Sequence, residues 1–161
     1  MSFIQKGGNI DMIFYRLVSS CLGIGYIRKG GGTVASLFCC LVWFFVRAGE
    51  MSYISQVLIF MLLLALGIRS ANKMEPQWGK DSYRIVIDEV AGMWCTLLFV
   101  PFRWQYILTG LVLFRIFDIA KPLYIRRTEA WSGGWGVMMD DVAAGIYSNL
   151  LLQLVVWTGL W

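Results

Sequence analysis

The 161-residue chain contains no histidine. Its absence removes the imidazole as nucleophile, general base and metal ligand. Charge is also scarce: 15% of residues are charged and 58% hydrophobic, against about 25% and about 45–50% in soluble domains. Too little polar surface is available to cover a water-soluble fold. The formal charge is +4, but no dense basic run exists, which excludes nucleic acid as a partner and leaves membrane orientation as the reading of the cations. The four cysteines, Cys21, Cys39, Cys40 and Cys95, lack metal-ligand spacing and imply no disulfide framework, so they read as small packing residues. None opens a C-x-x-x-x-x-R loop, because Arg28 follows Cys21 one residue too late. D-x-D, a nucleotide P-loop and an internal repeat are missing as well. Asp11 and Arg16 interrupt any stretch apolar enough to be a cleaved signal peptide.

Long apolar runs are what the chain has in abundance. A helix crosses a bilayer with roughly 17–25 mainly apolar residues, and five segments approach that: 30–46, 51–69, 85–102, 104–120 and 142–161. The expectation is one all-α domain over residues 1–161, a polytopic membrane helical bundle of about five transmembrane helices. The segment 11–27, which carries Arg16, is expected to be an interfacial or re-entrant helix. On this topology every Lys and Arg except Arg47, Arg103 and Arg115 falls on one face, and the positive-inside rule makes that face cytoplasmic.

The acids sit where the apolar runs are interrupted. Asp88 and Glu89 open the third segment, Asp118 lies near the end of the fourth, and Asp140 and Asp141 precede the fifth. All five are thereby placed at one depth on the cytoplasmic side. Crowded carboxylates at the edge of hydrocarbon repel one another unless a cation sits among them. Oxygen ligands without histidine suit Mg²⁺. The simpler alternative is helix N-terminal capping, which accounts for Asp88 or Asp140 alone but not for pairs on two helices plus a third acid. Arg115, Asp118 and Lys121 recur every three residues on one helix face. They read either as an intrahelical ion-pair ladder or as an acid flanked by two phosphate-binding cations. Arg115 lies about a turn deeper, where a charge requires a partner. Arg28, the glycines 30–32, Thr33 and Ser36 form a weaker candidate anion loop ahead of a helix, equally explained as a flexible turn.

The runs IVIDEVAGMW (85–94), FRIFDIAKP (114–122) and GGWGVMMDDVAAG (133–145), with GTVASL (32–37), resemble the signature blocks of the phosphatidylglycerophosphatase A family, in order and at comparable spacing. The resemblance covers the chain from about Gly23 onward. It implies Mg²⁺-dependent hydrolysis of the lipid phosphatidylglycerophosphate to phosphatidylglycerol and phosphate at a bacterial cytoplasmic (inner) membrane, with no obligate protein partner. Carried over residue by residue, Asp88, Glu89, Asp118, Asp140 and Asp141 become the catalytic and metal-binding acids, and Arg115 and Lys121 the phosphate partners. Thr33, Ser36 and Arg28 complete the candidate phosphate-binding set. Gly31 stands where the family has a proline and Ala35 where it has a glycine, and the stretch holding Glu129 is slightly shorter. Two chemical routes remain open, attack by metal-activated water or by an aspartate. The rival class is a small cation transporter or channel, whose acids would be spread across membrane depth. A head-group transferase would require a D-G-x-x-A-R signature, which is missing.

Overall fold

The computed structural model describes residues 4–47, 50–80, 82–122, 125–128 and 131–160, with backbone alone for 4–9. Glu129 lies outside the described residues. Among the described residues every regular element is helical: α1 (Ile4–Ser19), α2 (Gly31–Arg47), α3 (Tyr53–Trp78), α4 (Ile87–Thr96), α5 (Trp104–Ala120), α6 (Ile125–Thr128) and α7 (Gly134–Trp157), with a single 3-10 turn at Ile24–Tyr26. The expected all-helical class is the class observed.

The helix α4 is the central post. Ile87 and every residue from Val90 to Thr96 are buried, so this helix is enclosed all round rather than on one stripe. It packs against α2, α3, α5 and α7. Trp94 sets one contact, meeting the Trp43 ring edge-on at 4.8 Å and donating its indole N–H to the Gln56 carbonyl at 3.0 Å.

A continuous helix was expected over 85–102, whereas α4 has 10 residues and spans about 15 Å. Its end is held by side chains from neighbouring helices. Asn149 donates to the carbonyls of Thr96 (2.8 Å) and Leu98 (2.9 Å), and Gln153 donates to Leu98 at 3.2 Å. The Gln56 amide oxygen accepts the Phe99 N–H at 3.0 Å. Phe99 has a positive φ of 63°, and the chain turns back through Pro101 into α5. Carbonyls that a continuing helix would satisfy are thus satisfied by amides.

Three other boundaries differ from expectation, the first being the end of α3, which runs to Trp78 and not to 69. The α7 helix starts at Gly134, well before 142, because Asn72 of α3 caps the Gly134 N–H at 2.7 Å. The segment expected to lie at the interface, 11–27, is divided between α1 and a sharp turn in which Cys21, Leu22 and Gly23 all have positive φ. Packed against α3, α1 is tied to it by Arg16, which donates to the Gln77 side chain at 3.2 Å.

Among the described residues, α3 alone is long and apolar enough to cross a membrane by length and composition, and α2 is a shorter apolar helix. Large apolar side chains cover the outer surface, including Phe45 (68% exposed), Ile54 (73%), Leu62 (58%), Ile119 (73%) and Leu154 (59%).

Candidate active site

The acids converge at one end of the bundle because two helices cross there at backbone distance. On α4, Gly92 lies one turn after Asp88. On α7, Gly145 lies one turn after Asp141. A Cβ on Gly92 would stand 2.6 Å from the Asp141 carbonyl oxygen, and one on Gly145 would run into the Gly92 carbonyl. Only hydrogen at these two positions permits the approach that sets Asp88 and Glu89 opposite Asp141. Neither glycine was singled out from the sequence, although the one-turn spacing from each acid is written in it.

Carboxylate oxygens of Asp88, Glu89 and Asp141 all lie within 4.8 Å of one another. Asp141 is 4% exposed. Glu89 presses against the start of α2, where a Cβ on Gly32 would collide with its carboxylate. Its Oε2 is buried without a hydrogen-bond partner. Three acids packed together with a bare buried oxygen form a strongly repulsive arrangement unless a cation joins them.

The other two acids are paired. Arg115 donates through Nη1 to Asp118 Oδ2 on the same face of α5, and Lys121 donates through Nζ to Asp140 Oδ2 of α7 at 2.7 Å. Lys121 ends α5 in the left-handed region, with φ 43°. That kink turns its side chain across to α7 instead of along the α5 face expected from three-residue spacing. The Asp118 carboxyl also contacts that of Asp141, which connects the paired acids to the unpaired three. Arg115 retains a buried Nε without a hydrogen-bond partner.

Capping explains only part of this set. Asp88 Oδ1 accepts the Glu89 N–H at 3.1 Å in the first turn of α4. Asp140 and Asp141, in contrast, are interior to α7, since that helix begins at Gly134. Free N–H groups at a helix start therefore do not account for them.

The glycine-rich loop divides. Thr33 is exposed at the start of α2 and lines a groove beside Arg115. Ser36 is fully buried and donates its hydroxyl to the Gly32 carbonyl at 2.9 Å, so it is turned into its own helix and not toward the acids. Arg28 is exposed on the turn before α2 and pairs with none of the site acids. Cys21 is near the site, but burial, with the Glu89 charge adding to it, pushes its thiol up to about 11. It stays protonated near neutral pH and does not serve as a nucleophile.

Comparison with known proteins bears on the same residues. The family model for phosphatidylglycerophosphatase A matches residues 17–156, a range that includes every acid of the site. The chain belongs to the phosphatidylglycerophosphatase A family. The activity of that family is that of a phosphatidylglycerophosphatase, a phosphoric monoester hydrolase. A phosphatidylglycerophosphatase A of Escherichia coli is 35% identical over 88% of this chain and 83% of its own length, and one of Haemophilus influenzae is 34% identical over 84% and 85%. A protein of Bacteroides thetaiotaomicron named as a putative phosphatidylinositol-3-phosphatase is 40% identical over 88% of the chain and 92% of its own length. No solved structure matches.

Proposed function

We propose that the chain removes the terminal phosphate of phosphatidylglycerophosphate at the cytoplasmic face of a bacterial inner membrane, with Mg²⁺ held by Asp88, Glu89 and Asp141. The observation that carries this reading is the three-carboxylate cluster beside Arg115. Its donors are all hard oxygens, and the unpartnered Glu89 Oε2 is a ligand in want of a cation. When bound, Mg²⁺ would supply Lewis-acid polarisation of the phosphoryl group and an activated water.

The chain's own residues do the rest. Arg115 holds Asp118 in place through their ion pair and brings its guanidinium charge to the phosphate, whose geometry a fixed guanidinium matches. Lys121, held by Asp140, supplies a second positive charge for the negative charge that develops on the phosphoryl oxygens. Thr33 lines the groove beside Arg115, and the buried Ser36 steadies the start of α2. Asp118, in contact with Asp141 but outside the closest triad, is placed to accept a proton from the attacking water.

The membrane setting has its own support. The outer surface of α2, α3, α5 and α7 is largely apolar, which suits hydrocarbon and not water. Residues Ile10, Ile13, Phe14 and Leu17 form an exposed apolar stripe along α1, the pattern of a helix lying in the interface. A cation transporter is the less favoured reading because the acids gather at one end of the bundle, while α2 and α5 carry no acid toward their far ends.

The test is phosphate release by purified protein from phosphatidylglycerophosphate micelles, with and without Mg²⁺. Expected are Mg²⁺-dependent release and its loss in Asp88→Asn and Asp141→Asn. Unchanged release in both variants would overturn the site. Because the Bacteroides relative is named for an inositol lipid, phosphatidylinositol phosphate belongs in the same assay, and a preference for it would reassign the head group while keeping the chemistry.

A further inference from the structure

Two shallow hollows lie along the seam between α2 and α5. Beside Arg115 a groove of about 480 Å³ is lined by Thr33, Val112, Ile116 and Ile119. A second hollow of about 290 Å³ is lined by Leu41, Phe44, Trp104 and Leu108. Thr33 and Leu37 are one turn apart on α2, and Leu108 and Val112 one turn apart on α5, so the two hollows follow one another along the same pair of antiparallel helices. From Thr33 to Phe44 the seam runs about 17 Å at 1.5 Å per residue. That is close to one leaflet, half of a hydrocarbon core about 30 Å thick.

We infer that this seam holds an acyl chain of the lipid substrate, with the phosphate end at Arg115 and the methyl end toward Trp104. The inference rests on the lipid phosphatase reading above and extends it to the part of the substrate that does not react. Arg115 and Thr33 are among the residues lining the hollow nearer the acids, and no charged side chain lines the far one. Arg115 is also paired to Asp118, so a chain lying in the groove leads its head group to the acids. A helix from a second copy of the protein would instead cover Arg115 and block the approach to the site. Remote binding of this kind positions the reacting phosphate and contributes to turnover.

The test uses the full chain in detergent micelles and compares kcat/KM on dipalmitoyl and dihexanoyl phosphatidylglycerophosphate. Leu108 is 50% exposed and Val112 58% exposed, so a larger ring at either site fills the groove without disturbing the core. Leu108→Trp, at the far end, is expected to lower the long-chain to short-chain ratio by about tenfold. Val112→Trp, at the near end, lowers both values. Leu62→Trp, on the outer face of α3, keeps the wild-type ratio. An unchanged ratio in Leu108→Trp, or the same fall in Leu62→Trp, overturns the inference. A second measurement needs no variant: a dipalmitoyl analogue with a diazirine at the acyl terminus should label wild-type α2 and α5 near Leu41, Phe44 and Leu108. Labelling confined to α1 or α3, or coupling of two chains through the α2–α5 face, overturns it. Wild type that releases phosphate from neither lipid would instead sink the hydrolase reading, and the labelling pattern would then decide the groove alone.

Discussion

An added methyl at Gly92 meets both the Asp141 carbonyl oxygen and a ring carbon of Phe114 at 2.6 Å, and neither can swing aside: one is helix backbone, and the other belongs to a fully buried ring. Gly92→Ala and Gly145→Ala should therefore separate α4 from α7 while leaving both helices intact. Displacements near 1 Å at a reacting centre cost about a hundredfold, so phosphate release is expected to fall by that order with an unchanged helical circular dichroism spectrum. The acids themselves should divide into two classes. Glu89 has a buried oxygen without a partner, whereas Asp140 is joined to Lys121. Glu89→Gln is expected to raise the Mg²⁺ concentration for half-maximal activity by more than about tenfold. Asp140→Asn should lower turnover through Lys121 with a smaller change in Mg²⁺ requirement, and equal Mg²⁺ shifts in a titration of both variants would count against the division. The sequence made all five acids legible because charge is so rare in it. It could not sort them, since a partner such as Lys121 for Asp140 depends on a left-handed residue at the end of α5.

Among the elements, α4 is the one whose ends matter most. A 10-residue helix is too short to be stable alone, and its carbonyl end is buried in apolar surroundings. Asn149 reaches two of those carbonyls. Asn149→Leu strands the Thr96 carbonyl and leaves that of Leu98 to Gln153 alone, at about 1–3 kcal/mol, and in a chain of this size each kcal/mol lowers Tm by about 2–4 °C. A fall in that range by thermal unfolding in detergent is expected, with the Mg²⁺ requirement little altered because the acids are at the opposite end of α4. Apolar run length cannot reveal such a break. The residues 97–100 are as hydrophobic as a helix interior, and the amides that satisfy them come from α3 and α7. The early start of α7 was hidden for a related reason. The glycines at 133, 134 and 136 read as a loop, yet Gly134 packs against the Ile68 backbone and is capped by Asn72, contacts that local propensity does not contain.

For the whole molecule, the cations and the acids fall at the same end. Arg28 and Lys29 precede α2, Lys80 and Arg84 precede α4, and Lys121, Arg126 and Arg127 follow α5, whereas Arg47 closes α2 and Arg103 opens α5 at the far end. The helix directions that gather the carboxylates therefore gather positive charge around them, which draws an anionic head group toward the site. By the positive-inside rule, the same asymmetry predicts a cytoplasmic acid end. All four native cysteines are buried, so an introduced cysteine is a clean reporter. In intact cells, an impermeant maleimide is expected to label Arg103→Cys, and to label Arg28→Cys or Lys80→Cys only after the inner membrane is permeabilised. The opposite pattern would invert the topology and leave the site without cytoplasmic Mg²⁺ and newly made lipid. Labelling of all three positions in intact cells would mean that the apolar exterior does not seal against a bilayer at all.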